Sequence, residues 1–324
     1  MTCCPKSIIA DILKAREDKG GIVNVYYVAC GGSYAGLHPG KYFLQSEAKK
    51  VTVDHYTANE FCHATPKALG PNSIVITQSH SGTTPETVKA AEIAQKAGAA
   101  SVVITFDDQS PLAKNGDYVL KYEAKATADM TGMAFGLKLA VEILNQIEGY
   151  ENYDEMMNGF DRIDGIVKHA KEFLTPRAKV FAEEYKDEKL IYMMGSGANY
   201  NVAYSFAICL LMEMQWVNSS AIHSGEYFHG PFEITDRETP FIILMSEGRT
   251  RPLDQRALDF LNRFAEKVII LDAKELGLET IDDKVSEFFN PLLMNSALGC
   301  YSYELSIARK HPLSCRRYMW KLQY

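Results

Sequence analysis

The segment Ile222-His223-Ser224-Gly225-Glu226-Tyr227-Phe228-His229-Gly230-Pro231 puts three titratable side chains, His223, Glu226 and His229, within seven residues. Gly225 and the Gly230-Pro231 pair imply a shaped loop rather than a regular element. Sixteen residues before His229 stands Glu213, in the apolar run Ile208-Cys209-Leu210-Leu211-Met212-Glu213-Met214-Gln215-Trp216. A lone carboxylate at the end of so apolar a helix is expected to be partly buried. Burial raises its pKa and suits it to proton transfer. Two plainer readings stay open at this point: a surface-facing helix glutamate and a structural loop histidine.

A second group of residues is suited to holding a ligand. Thr77-Gln78-Ser79-His80-Ser81-Gly82-Thr83-Thr84-Pro85-Glu86-Thr87 follows the strand-like run Ser73-Ile74-Val75-Ile76 and precedes the helix-like Val88-Lys89-Ala90-Ala91-Glu92-Ile93. A strand-to-helix turn aims backbone N–H groups and the helix dipole at whatever lies above it. The turn from Ser79 to Thr84 adds four small hydroxyls (Ser79, Ser81, Thr83, Thr84) and a glycine, with no lysine or arginine. Many short neutral hydrogen bonds of this kind suit a phosphate monoester and leave room for a sugar. A hydroxyl-rich loop with an N-cap is the alternative.

The elements that must position these groups repeat along the chain. Val25-Tyr26-Tyr27-Val28-Ala29-Cys30-Gly31-Gly32-Ser33-Tyr34 returns as Leu190-Ile191-Tyr192-Met193-Met194-Gly195-Ser196-Gly197-Ala198, and Glu60-Phe61-Cys62-His63 as Glu226-Tyr227-Phe228-His229. The strand before the hydroxyl loop returns as Phe241-Ile242-Ile243-Leu244-Met245, and Ser101-Val102-Val103-Ile104-Thr105-Phe106-Asp107 as Lys267-Val268-Ile269-Ile270-Leu271-Asp272. Four matches in order, at offsets of 164 to 167, imply two homologous halves. Their strands are short continuous apolar runs, as in sheets covered on both faces, and they alternate with helix-length segments. The expected fold class is therefore α/β, with a parallel, doubly wound, flavodoxin-like sheet in each half and ligands at the carboxyl ends of the strands. The expected division is 1–150 and 151–324. The stretch from about Gly149 to Tyr185 is a charged, helix-like connection carrying the turn-prone pairs Asn158-Gly159 and Asp164-Gly165. The second copy of the hydroxyl loop, Ser246-Glu247-Gly248-Arg249-Thr250-Arg251, has lost its neutral cradle.

Bulk properties remove several function classes. The 324 residues are 47% hydrophobic, enough for a sizeable core, and the net charge of −7 comes without a basic tract, so nucleic acid is not an expected partner. No uncharged apolar run is long enough for a membrane span, and the start has no signal-peptide core. Seven cysteines, at 3, 4, 30, 62, 209, 300 and 315, show no framework spacing, so reduced thiols and a cytoplasmic location are expected. The eight histidines form no ligand cluster, and no metal is expected. Neither Cys30-Gly31-Gly32-Ser33 nor Gly195-Ser196-Gly197 fits a dinucleotide fingerprint; in the second, Tyr200 stands where the third glycine belongs.

Taken together, these motifs resemble the sugar isomerase (SIS) family, in a two-domain arrangement covering nearly the whole chain. Ser79-His80-Ser81-Gly82-Thr83-Thr84 resembles the SIS phosphate loop, with His80 in place of the usual glutamine. Cys30-Gly31-Gly32-Ser33-Tyr34 resembles the family's first turn, where Gly32 and Ser33 would face the sugar. Gly225-Glu226-Tyr227-Phe228-His229-Gly230-Pro231 is similar to a motif of the isomerase half of glucosamine-6-phosphate synthase. There Glu213 falls on the catalytic glutamate, His229 on the ring-opening histidine and Lys321, in Arg316-Arg317-Tyr318-Met319-Trp320-Lys321, on the active-site lysine. The first SIS strand begins near Ile22, so the synthase's glutaminase domain is expected to be absent.

Closer still is the resemblance to the Amadori-product deglycases acting on fructoselysine 6-phosphate and 6-phosphofructose-aspartate. It rests on Met212-Glu213-Met214-Gln215-Trp216, on Phe228-His229-Gly230-Pro231-Phe232-Glu233-Ile234-Thr235-Asp236 and on the stretch from His311-Pro312-Leu313 to Trp320-Lys321. It implies release of glucose 6-phosphate and a free amino acid, aspartate by preference, without a cofactor. Glu213 would move the C1 proton, and His229 would serve ring opening and the sugar oxygens. Ser79, His80, Ser81 and Thr84 would hold the phosphate, Glu226 would support the site, and Arg316 or Arg317 would meet the amino-acid carboxylate; a plain salt bridge for either arginine and a solvated lysine for Lys321 stay open. SIS proteins commonly form dimers, so a homodimer with its active site at the subunit interface is implied. The alternatives are an aldose–ketose phosphosugar isomerase or aminosugar-phosphate synthase and, from another class, a non-catalytic sugar-phosphate-binding regulator.

Overall fold

The structure is a computed structural model and describes residues 4–123 and 126–323. It divides into two compact units, Met1–Met157 and Asn158–Tyr324.

In the first unit the elements run α1 (Pro5–Lys14), β1 (Asn24–Ala29), α2 (Gly31–Glu47), β2 (Thr52–Thr57), α3 (Ala58–His63), β3 (Ser73–Ser79), α4 (Pro85–Lys96), β4 (Ala100–Thr105), β5 (Tyr118–Lys121) and α5 (Gly132–Glu148). The sheet is parallel throughout, in the order β2-β1-β3-β4-β5. Strands β3 and β4 are buried along their whole length, which is why they read as continuous apolar runs. The chain leaves β1 towards β2 on one side and returns to β3 on the other. The turns after β1 and β3 therefore open at one switch point, where a doubly wound sheet takes its ligand. Ala29 pairs with Gln78, and the Thr87 hydroxyl of α4 lies 3.9 Å from Cys30 Sγ, so the Gly31–Ser33 turn and the hydroxyl loop leave the sheet side by side.

Next in chain order is α6 (Tyr153–Tyr185), which passes unbroken through Asn158-Gly159 and Asp164-Gly165. These pairs are therefore not turns, contrary to the expectation from the sequence. At Gly159 packing explains the residue: a Cβ there would sit 2.4 Å from the Phe289 ring, so the missing side chain allows close approach rather than a bend.

The second unit continues with β6 (Leu190–Gly195), α7 (Tyr200–Ser205), a π-helical segment Phe206–Met214, β7 (Asn218–His223), β8 (Phe241–Met245), α8 (Arg251–Phe264), β9 (Val268–Asp272) and α9 (Asn290–Ala308). Its parallel sheet, β7-β6-β8-β9, repeats the first order without a described counterpart of β5. The apolar repeats thus become equivalent strands at equivalent places. No described helix is long and apolar enough to cross a membrane. No disulfide joins the six described cysteines, and Cys3 lies outside the described residues.

Candidate active site

Strand β3 delivers Ser79, buried, to the start of the hydroxyl loop, and Pro85 opens α4 at its end. Thr84 holds the N-cap position, but its hydroxyl makes no cap bond; it pairs with the Ser79 hydroxyl at 3.0 Å. The Gly82 N–H donates to Ser79 Oγ at 3.2 Å. Ser79 and Thr84 therefore brace the loop from inside, while Ser81 and Thr83, linked at 2.8 Å, are exposed above the N-terminus of α4. Gly82 has φ +65°, and a Cβ there would lie 2.0 Å from Ser110 Oγ. Its carbonyl also accepts from the Leu112 N–H at 3.0 Å. The loop is thus pressed down on the β4–β5 connection, and only glycine fits.

His80 is exposed. Its Nδ1 lies 3.0 Å from the Tyr122 hydroxyl, and its ring stacks on Phe106 at 5.2 Å. A hollow of about 460 Å³ is lined by His80, Ser81, Phe106, Asp107, Lys121 and Glu123. Lys121 is absent from the sequence reading of this site. The register Ser79–Thr105–Lys121 across β3, β4 and β5 brings it to the same sheet edge. Its Nζ is 3.5 Å from Asp108, and both groups are about half exposed. Only the assignment of β5 as a parallel neighbour of β4 could have revealed it.

Gly32 and Ser33 lie in the first turn of α2, which starts at Gly31, directly after Cys30; the Ser33 N–H donates to the Cys30 carbonyl at 3.1 Å. The next residue, Tyr34, stacks on His55 of the edge strand β2, with centroids 3.8 Å apart and planes within 7°. Desolvation, helped by Lys41, pushes His55 down to about 3, so it stays neutral beside this turn.

In the second unit the equivalent loop is closed by its own side chains. Glu287, buried, accepts from the Arg249 backbone N–H at 2.9 Å and from its guanidinium. Arg251 forms a forked pair with Asp272 at 2.8 and 2.6 Å. Gly248, like Gly82, has positive φ, and a Cβ on it would meet Glu287 at 2.3 Å. An internal carboxylate thus packs onto the second copy of the loop, with no such side chain on the first among the described residues. Replacing Glu287 with Ala should lower stability by about 1–3 kcal/mol, the worth of hydrogen bonds to a charged acceptor. Unchanged chemical denaturation of that variant would show that the loop does not depend on this carboxylate.

Glu213 sits near the end of the π-helical segment, a wide-turn geometry frequent at functional sites. The segment stops at Trp216, which takes φ +55°, and the Val217 N–H returns to the Leu211 carbonyl at 2.9 Å. The Glu213 side chain is 23% exposed, the partial burial expected from the sequence, and its Oε1 meets Arg316 Nη2 at 2.7 Å. Desolvation raises the carboxyl above its ordinary range, while Arg316 pulls it back down.

The C-terminal tail completes the surroundings. It is tied to the segment by the Gln215 side-chain amide, which donates to the His311 carbonyl at 2.9 Å, and by the edge contact of Trp216 with His311 at 4.6 Å. The Arg317 guanidinium lies 4.4 Å over the Trp216 ring. Lys321 donates to the Arg316 carbonyl. A cavity of about 490 Å³ opens here, with Glu213, Trp216, Arg316 and Arg317 among its walls. The structure therefore brings Glu213, Arg316, Arg317 and Lys321 together. Arg316 is committed to Glu213 rather than left for a ligand, which is the salt-bridge reading that the sequence left open for it.

Glu226 and His229 do not line that cavity. They lie in the turn after β7, both exposed, with the His229 N–H donating to the Glu226 carbonyl at 2.9 Å. The turn is pinned by its aromatic neighbours: Tyr227 is fully buried, and Phe228 packs edge-on against Phe260 at 5.6 Å with the Arg256 guanidinium 4.1 Å from its ring. In the first unit the corresponding Glu60–His63 belongs to helix α3, so the loop expected from Gly225 and Gly230-Pro231 is specific to the second half. Among the described residues no group of three or more His, Cys, Asp or Glu is placed to hold a metal ion.

Two α/β units, each with a parallel sheet, thus carry a hydroxyl loop in the first and its closed copy and a carboxylate–arginine pair in the second. The chain belongs to the SIS-domain family: the SIS domain matches residues 23–146 and 184–277. It is 45% identical to the fructosamine deglycase FrlB of Bacillus subtilis (strain 168), over 94% of this chain and 93% of that one. It is 26% identical to the fructoselysine 6-phosphate deglycase of Escherichia coli (strain K12), over 96% of this chain and 88% of that one. A crystal structure from Salmonella typhimurium LT2, provisionally named a phosphosugar isomerase, superposes with a TM-score of 0.96 at 48% identity, covering 99% of this chain and 96% of that one.

Proposed function

We propose that the chain is a fructosamine-6-phosphate deglycase, splitting a 6-phosphorylated fructose-amino acid into glucose 6-phosphate and the free amino acid. The observation that carries this reading is the half-buried Glu213 carboxylate, raised in pKa, at the wall of a cavity large enough for an aminoacyl group. The similarity to FrlB supports the reaction class.

An Amadori compound has a C2 carbonyl and an amine on C1. Glu213 takes a C1 proton, giving the enaminol, and returns one to C2, giving the C1 imine. Water adds to the imine, the C1–N bond breaks and the amine leaves protonated. His229 serves as acid and base for ring opening and the sugar oxygens. Lys321 assists from the tail. Ser79, Ser81 and Thr84 hold the phosphate with the α4 N-terminus, His80 flanks it, Gly32 and Ser33 face the sugar, and Glu226 supports His229. In this reading the protein is a homodimer whose copies complete each other's sites.

Arg317 is the residue proposed to read the amino acid, with 6-phosphofructose-aspartate as the preferred substrate. Among the described residues its guanidinium has no ion pair, and an arginine fork matches a carboxylate. Arg317→Glu should raise KM for 6-phosphofructose-aspartate by on the order of tenfold or more, and far less for the lysine analogue. Equal losses on both substrates would remove Arg317 from amino-acid recognition.

The direct test is a panel of 6-phosphorylated fructose-amino acids scored for both glucose 6-phosphate and free amino acid. Interconversion of sugar phosphates without amine release would identify an isomerase instead. Binding without turnover would identify a regulator.

A further inference from the structure

We infer that Arg316 is a positioning residue, a preset cationic post that holds Glu213 ionised through one oxygen and leaves the other to work. This rests on the reading of Glu213 as the base.

The guanidinium is fixed by contacts that do not involve Glu213. Its Nη1 donates to the Leu313 carbonyl at 2.8 Å and the Cys315 carbonyl at 2.7 Å, so the turn of the tail clamps it from behind. The Trp320 ring lies 5.1 Å from its Cζ, and Lys321 binds its carbonyl. The side chain is only 7% exposed, and its Nε is buried without a hydrogen-bond partner among the described residues. A donor is left stranded so that Nη2 can face Glu213.

The pairing is one-sided. Nη2 meets Oε1, and Oε2 has no partner among the described residues. A base needs one anchored oxygen and one free one, and a cation fixed before the reaction costs no reorganisation during it. The geometry also explains why a partly desolvated glutamate can stay ionised: burial opposes the charge, and the arginine opposes burial.

Other titratable groups come from every element packed on the segment. The tail carries His311, Arg317 and Lys321; α9 carries Cys300, Tyr301, Tyr303 and Glu304, with Arg309 just beyond its end. Strand β7 ends in His223, β6 carries Tyr192, and α7 carries Tyr200 and Tyr204. Cys209 lies on the segment itself. Among the described residues only Arg316 bonds the Glu213 carboxylate. Lys321, which the family resemblance assigns to the chemistry, is thereby also a clasp on Arg316.

The test compares wild type, Arg316→Met and Arg316→Lys. The Glu213 carboxyl is titrated by 13C NMR in glutamate-labelled protein, its resonance identified by its loss in Glu213→Gln. Arg316→Met should move that titration up by about one pH unit or more, and Arg316→Lys should restore much of it. In turnover of the 6-phosphorylated fructose-amino acids, the acid limb of kcat should shift by the same amount, with KM within a few-fold. An unmoved Glu213 titration in a folded Arg316→Met variant, or a titration equally displaced in Arg316→Lys, overturns the inference. The NMR readout needs no substrate, so an absence of deglycase turnover in wild type would sink the functional reading and leave this one decided separately.

Discussion

Glu213→Gln should reduce kcat for glucose 6-phosphate release by about a hundred- to ten-thousand-fold while leaving KM within a few-fold. Glutamine keeps the length of the side chain and an oxygen that can accept from Arg316, so the tail should stay docked. What it cannot do is take a proton from C1. Loss confined to kcat is the signature of a group whose contribution is made in the transition state. The pH profile is a second readout of the same residue. Burial is the largest influence on Glu213 and raises it, Arg316 partly reverses this, and the net direction is upward. With Glu213 as the proposed base the working form is the carboxylate, so activity should be full above this raised pKa and fall as pH drops through it. Wild-type kcat should therefore begin to fall at a higher pH than an ordinary glutamate would dictate, and the residual activity of Glu213→Gln should lack that limb. Steady-state kinetics across pH, with glucose 6-phosphate detected by a coupled dehydrogenase, measures both. A Glu213→Gln enzyme within a few-fold of wild type would remove Glu213 from the mechanism.

Gly82→Ala should damage the hydroxyl loop, proposed to hold the phosphate, more than loss of any one hydroxyl. Two costs coincide at this position. Its φ of +65° disfavours any side chain, and the new Cβ would fall 2.0 Å from Ser110 Oγ and 2.3 Å from Ser110 Cβ. Together they amount to about 2–4 kcal/mol of stability, unless the loop lifts. Lifting would break the Leu112 N–H bond to the Gly82 carbonyl and the Gly82 N–H bond to Ser79, so the hydroxyls would lose their arrangement. The expected result is a lower Tm and a fall in kcat/KM on the order of a hundredfold, carried mainly by KM. Ser81→Ala, which removes one exposed hydroxyl and leaves the backbone alone, is the control and should cost less in both. An unchanged Tm and KM for Gly82→Ala would mean that this loop neither needs its compact form nor holds the phosphate.

Much of the scaffold was legible because its signals are local and repeated. Continuous apolar runs without alternation mean strands covered on both faces, and β1, β3, β4, β6 and β8 appear where such runs stand. The repeat offsets became two sheets that share one order over four strands. Gly225 and Gly230-Pro231 marked a shaped loop, and the burial of Glu213 followed from the apolar run around it. Local signals failed where packing outvoted them. Asn158-Gly159 and Asp164-Gly165 read as turns, yet α6 runs through both, in one case because Phe289 occupies the space a side chain would need.

Sequence alone thus determined the elements, their repetition and the types of residue available for chemistry, since propensity and hydrophobic period act over a few neighbouring residues. Tertiary structure decided which of those residues meet. It closed the second loop with Glu287, brought Lys121 to the first across three strands, and set Arg316 against Glu213 from a tail about a hundred residues further on. Those pairings depend on strand register and on how a terminal segment folds back. No local pattern encodes either, because the energy that fixes them comes from contacts between residues far apart in the chain.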